Sequence, residues 1–134
     1  MKMFYGIAAT LVAVSLALPG AAVAGLKIPI EVKVLNHISF ASGAVGTARN
    51  SRDSMQDIGC GIMSNVNHPY TTGTCWAFDA DGNIGQCSYF NRPDLDKAVA
   101  SISNDSYIQF KWEDSGQCTQ INVANGSLYE PKGR

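Results

Sequence analysis

The chain reads as a single α+β domain, an antiparallel sheet of about five to six strands with one helix and two disulfides, preceded by an export segment. Three observations predict it. Short runs of period-two alternation recur along the chain with turn residues between them, a single stretch has the helical repeat, and the four cysteines are an even number in a small chain.

The start of the chain carries its own signal. Lys2 supplies a positive end, Ile7 to Leu18 is an uncharged apolar run, and Pro19-Gly20 breaks any helix before Ala21-Ala22-Val23-Ala24. That order is the pattern of a secretory signal peptide with cleavage expected after Ala24. The apolar run is shorter than the ~20 residues of a spanning helix, so a membrane anchor is not expected after cleavage. The expected organisation is a signal peptide over 1–24 and one globular domain over 25–134, secreted or periplasmic. Without Lys2 the mature part has nine Lys and Arg against eleven Asp and Glu, with neither sign gathered in a run. Such a surface has no electrostatic footprint for nucleic acid or anionic lipid.

Leu26, Ile28, Ile30, Val32 and Val34 alternate with Lys27, Pro29, Glu31 and Lys33, predicting a half-buried first strand at a sheet edge. Residues 36–57 are rich in Ser, Gly, Ala and Asn and are expected to be irregular or weakly paired. Asp57 to Met63 follows as a strand. Thr74 to Asp79 and Asn83 to Phe90 then form a hairpin around Asp81-Gly82, which supplies the positive φ of a tight turn. The helix is expected over about 93–103, with Asn91 as its cap, Pro93 in the first turn, Asp94 and Asp96 at the positive end of the dipole, and Leu95, Ala98, Val99 and Ile102 on one face. A second hairpin joins Ser106–Glu113 to Cys118–Val123 through Asp114-Ser115-Gly116.

Cys60, Cys75, Cys87 and Cys118 lie at spacings of 15, 12 and 31, unlike the close pairs of a zinc site, and are expected as two disulfides with no metal. The meander decides the pairing. With a two-residue turn at Asp81-Gly82, Cys75 and Cys87 fall on opposite faces of the ladder; with a three-residue loop they face each other at a hydrogen-bonded pair, where a bridge is possible but disfavoured. In a simple meander Cys60 lies two strands from Cys87, ~9.5 Å away and beyond reach. The expected pairs are Cys60 with Cys75 and Cys87 with Cys118.

Sites of chemistry are sparse. His37 and His68 are the only imidazoles, no catalytic or cofactor motif is present, and no catalytic residue or cofactor is expected. The carboxylate pairs have local explanations: Asp79 with Asp81 belongs to a turn, and Asp94 with Asp96 to the helix start. Asp79 to Asn83 opens like an EF-hand loop but has its glycine at the fourth position and Phe90 at the twelfth, where calcium needs a glutamate. His68 and Tyr70 lie in a polar loop, Ser64 to Thr72. Trp76 and Phe78 share one strand face with Thr74 and are expected in the core with Ile84, the alternative being an exposed platform. Trp112 is expected in the core with Ile108 and Phe110. Tyr107 and Lys111 then point outward. The possible contact residues are His68, Tyr70, Trp76, Tyr107 and Lys111.

Ala48-Arg49-Asn50-Ser51-Arg52-Asp53-Ser54, Ile58-Gly59-Cys60, Cys75-x-Ala77-x-Asp79-Ala80, Ser106-Tyr107-Ile108-x-Phe110-x-Trp112 and Gly116-x-Cys118 together resemble a pattern of small secreted proteobacterial proteins. The resemblance covers most of the mature chain and implies an exported bacterial domain, with no activity or site residue attached. The expected role is a non-enzymatic module binding a protein or glycan. The alternatives are a small secreted hydrolase using His68 or Asp79, and an inhibitor of such a hydrolase presenting the Ser64 to Thr72 loop.

Overall fold

The computed structural model describes residues 25–129, so the signal segment expected over 1–24 lies outside the described residues. The strands are β1 (Lys33–Leu35), β2 (Phe40–Ala44), β3 (Asp57–Asn65), β4 (His68–Phe78), β5 (Ile84–Phe90), β6 (Ser106–Trp112) and β7 (Cys118–Asn125); the helices are α1 (Val45–Asn50) and α2 (Pro93–Ala100). They form an α+β domain of two antiparallel sheets, one ordered β1-β2-β6-β7 and the other β3-β4-β5.

Residues 36–57, expected to be irregular or weakly paired, hold β2 and α1. Their apolar content is low because the buried positions are Ala41, Ala44 and Ala48, where chains approach closely. A Cβ on Gly43 would lie 2.9 Å from the Val32 backbone. Small residues here are a packing requirement, and a hydropathy reading takes them for a loop. The expected first strand shrinks to β1, with Ile28 reaching only an isolated bridge to Tyr129. Charges and Pro29 along this edge keep it from longer pairing. The helix ends at Ala100, and Arg92 takes the cap position while Asn91 sits at φ 49°.

The core lies between the inner faces of the two sheets and under α2. Phe110 and Ile108 of β6 are fully buried, joined by Val32, Ala77, Leu95 and Val99. Trp112, expected in the core, is partly buried against it and fills the space a Cβ on Gly85 would need, at 2.9 Å. In β5 the alternation is complete, with Gly85, Cys87 and Tyr89 inward and Ile84, Gln86, Ser88 and Phe90 outward.

Both expected disulfides are present, Cys60–Cys75 and Cys87–Cys118. The loop between β4 and β5 has the three-residue geometry, since Asp79 N–H donates to the Asn83 carbonyl and Cys75 pairs with Cys87 across the ladder. Cys60–Cys75 joins directly opposed residues of β3 and β4. Cys87–Cys118 ties β5 to β7 and so clamps one sheet to the other. The sulfurs of Cys75, Cys87 and Cys118 lie within 4.8 Å of one another, because the two bridges stack, and all are engaged in disulfides.

Asp79 is a second tie between the sheets. Its buried carboxylate accepts the Val34 N–H at 3.3 Å from the other sheet, the Asp81 and Asn83 N–H groups at 3.0 and 2.8 Å, and Asn83 Nδ2 at 3.0 Å. Burial alone would raise its pKa, but these donors outweigh burial and hold it below the ordinary carboxylate value. A depressed folded pKa means that the stabilisation is fully present above the unfolded pKa of ~3.9 and is lost as pH falls through the lower folded value. Asp79→Asn is expected to cost about 2 kcal/mol at neutral pH, since an amide nitrogen would confront two N–H donors. Urea titrations between pH 7 and pH 2 check this: below pH ~4 the gap between wild type and variant should close.

Candidate functional site

Alternation along β3, β4 and β5 sets two faces. Ile58, Cys75, Ala77, Cys87 and Tyr89 point inward; the outer face carries the rows Asp57–Phe78–Ile84, Gly59–Trp76–Gln86, Gly61–Thr74–Ser88 and Met63–Thr72–Phe90. Trp76 and Phe78, expected in the core, are therefore half-buried on the outer face. The inner positions of β4 went to Gly73, Cys75 and Ala77, followed by Asp79 just past the strand, all buried, because side chains from other elements fill that side. Tyr89 occupies the space above Gly73, and its hydroxyl donates to Asp96 Oδ1 at 2.9 Å. Burial, then the Asp96 carboxylate, raises the Tyr89 pKa, so the phenol stays neutral. Asp96, expected as a dipole residue, thus anchors Tyr89 and also accepts the Thr71 hydroxyl.

Trp76 is held in a defined pose. Its indole lies over β3, where a Cβ on Gly59 would come within 2.8 Å of the ring and one on Gly61 within 3.9 Å. Trp76 Nε1 donates to Asp57 Oδ2 at 2.9 Å. The glycines leave the bed for the ring, and Asp57 takes its only polar atom.

Farther along the same face, β3 and β4 continue beyond the end of β5 as a two-stranded hairpin. The pairing of β4 with β5 ends at Thr72–Phe90, whereas β3 and β4 pair out to Asn65–His68 with a register shift after Ser64. The expected polar loop from Ser64 to Thr72 is thus mostly strand, closed by a turn in which Asn65 Oδ1 accepts the Asn67 N–H at 2.9 Å. A cleft of about 420 Å³ opens at its base, lined by Met63, His68, Tyr70, Thr72 and Phe90. Met63 is 75% exposed, Phe90 64% and Tyr70 49%. The Tyr70 and Phe90 rings meet with centroids 5.5 Å apart. A smaller cleft lined by Met63, Thr72, Thr74 and Trp76 continues the surface toward the indole.

Of the sequence-predicted contact residues, His68 and Tyr70 line the larger cleft, and Trp76 lies farther along the same strand beside the smaller one. Tyr107 and Lys111 lie on β6 in the other sheet; Tyr107 stacks on Tyr129 with centroids 5.6 Å apart, and Lys111 is exposed. The sequence reading missed Met63 and Phe90. Phe90 was legible in principle, because it falls in step with Ile84, Gln86 and Ser88 on the outward side of β5. Met63 depended on knowing that β3 turns this side to solvent. Among the described residues no carboxylate or nucleophile hydrogen-bonds to His68. Asp79 is likewise committed to backbone donors, and Asp94 to a surface pair with Arg92 at 2.6 Å.

No protein-family model, curated protein or solved structure matches the chain. Its chemistry has to be read from its own residues. Two disulfides indicate an oxidising, extracytoplasmic environment, and no helix among the described residues is long and apolar enough to cross a membrane.

Proposed function

We propose that this chain is exported and acts as a non-enzymatic module that binds a protein partner through the outer face of the β3-β4-β5 sheet. One observation carries the reading: Trp76, Met63, Tyr70 and Phe90 form a continuous apolar strip left to solvent on strands braced by Cys60–Cys75. Apolar strips of this kind, rimmed by hydroxyls such as Thr72 and Thr74, mark interaction surfaces. A protein is favoured over a glycan because the most exposed members, Met63 and Phe90, offer no hydrogen bonds, and the indole N–H is already used by Asp57. The projecting hairpin supports a second, narrower reading in which it enters a concave partner such as the cleft of a secreted hydrolase.

The test is retention of proteins from the native culture medium on the mature domain and on a Tyr70→Ala/Phe90→Ala bait, followed by affinity measurement with the purified partner. A partner held by the first bait should bind the variant roughly tenfold or more weakly, as expected for aromatic anchors. Equal retention by both baits, or binding to a glycan array with no protein retained, would sink the proposal.

A further inference from the structure

The β3 strand has a long free edge. The short Cα separation of Cys60 and Cys75, 4.0 Å, marks a pair that exchanges no ladder hydrogen bonds. The opposite edge of the sheet agrees, since Ser88, one residue past Cys87 and facing the Gly61 partner Thr74, turns its N–H away from β4 to the Gly116 carbonyl at 3.0 Å. The N–H and C=O groups of Cys60, Ile62 and Ser64 therefore point away from β4. Among the described residues nothing hydrogen-bonds to them.

Free edges are normally guarded by lysine, proline or inward charge. The β1 edge follows that rule, with Lys27, Pro29, Glu31 and Lys33 in and before it. From Ile58 to Asn65, β3 has neither charge nor proline. Half-exposed Ile62 and well-exposed Met63 stand on it instead.

We propose that a second copy of this chain pairs antiparallel along this edge, with the twofold axis at Gly61. The strand complements itself in that register. Cys60 and Ile62 of one copy meet Ile62 and Cys60 of the other in hydrogen-bonded pairs, and Gly61 meets Gly61 at the close, non-bonded position where a side chain would crowd. Met63 of one copy lies beside Gly59 of the other, against the edge of the Trp76 indole. Asp57, the strand's only charge, falls opposite Asn65 of the second copy, so no like charges meet. The two sheets then run on as one, and the apolar outer strips become contiguous. The pairing uses the edge and leaves the outer face open, so it holds or fails independently of what that face binds.

Sedimentation velocity on the mature chain, from micromolar to near-millimolar concentration, reads the pairing directly. The expected result is a mass that doubles with concentration, and a dimer weakened roughly tenfold or more by Ile62→Pro, which removes an outward N–H that β4 does not use. Amide hydrogen exchange is the second measurement: protection at Cys60, Ile62 and Ser64 should rise with concentration, while Gly61 and Met63, bonded to β4, are protected throughout. A monomer at every concentration overturns the proposal. So does a dimer in which those three edge amides exchange freely, whether or not the proline variant folds.

Discussion

Removing the inter-sheet disulfide, as Cys87→Ala/Cys118→Ala, is expected to cost about 4 kcal/mol, the larger of the two disulfide losses. The bridge closes a loop of sequence separation 31, against 15 for Cys60–Cys75, and loop-closure entropy assigns about 3 to 4 kcal/mol to the longer and about 3 to the shorter. Context widens the gap. Cys87 and Cys118 are 2% and 3% exposed, so truncation also leaves a void in the core. Cys75 is as deeply buried, but its partner Cys60 is partly exposed, and β3 and β4 remain joined by their own ladder. Between β5 and β7 the backbone tie is slight, an isolated Ser88–Gln117 bridge. Chemical denaturation of the two double variants measures this; a Cys60→Ala/Cys75→Ala protein less stable than its counterpart would show that the sheets are held mainly by packing.

Gly73→Ala is the second large expected effect, about 3 kcal/mol. A Cβ at this position would lie 2.0 to 2.3 Å from the Cζ, Cε1 and hydroxyl oxygen of Tyr89. The ring cannot step aside cheaply, being rigid, 5% exposed and tied through its hydroxyl to Asp96. Overpacking against such a neighbour costs at the upper end of the usual 1 to 3 kcal/mol. The check is a double-mutant cycle with Tyr89→Ala. With the ring gone, Gly73→Ala should cost well under 1 kcal/mol, because the added methyl then enters empty space. Additive costs would mean that glycine is needed at this position for some reason other than the ring.

Much of this domain was legible in local patterns. Strand patterns located β3 and β5 to β7 within a few residues, while β4 was expected only from Thr74 and begins at His68; Asp81-Gly82 and Asp114-Ser115-Gly116 located two turns, and Pro93 with Leu95 and Val99 located α2. The cysteine pairing followed from strand order, since neighbouring strands put Cys60 within reach of Cys75 and out of reach of Cys87. These features are local or nearly so, and residue type reports them directly.

Which face of the β3-β4-β5 sheet meets solvent was not legible in the same way. Period two says that Thr74, Trp76 and Phe78 share a side and that Gly73, Cys75 and Ala77 share the other. Hydropathy alone assigns the aromatic side to the core. The tertiary structure reverses this, because rings from distant positions fill the inner side: Tyr89 sits above Gly73, and Trp112 above Gly85. With those rings in place Gly73 of β4 and Gly85 of β5 have no room for a side chain, and Trp76 is left to lie over Gly59 and Gly61 on the outer face. The same logic hid β2 and α1, whose buried alanines and glycines read as loop until the chains packed beside them are known. Sequence by itself determined most strands, two turns, the helix α2 and the cysteine pairing, features set largely by neighbours along the chain or across adjacent strands. Which side of a sheet is the interior, and hence which aromatic residues meet solvent, was decided only where separate elements compete for the same volume.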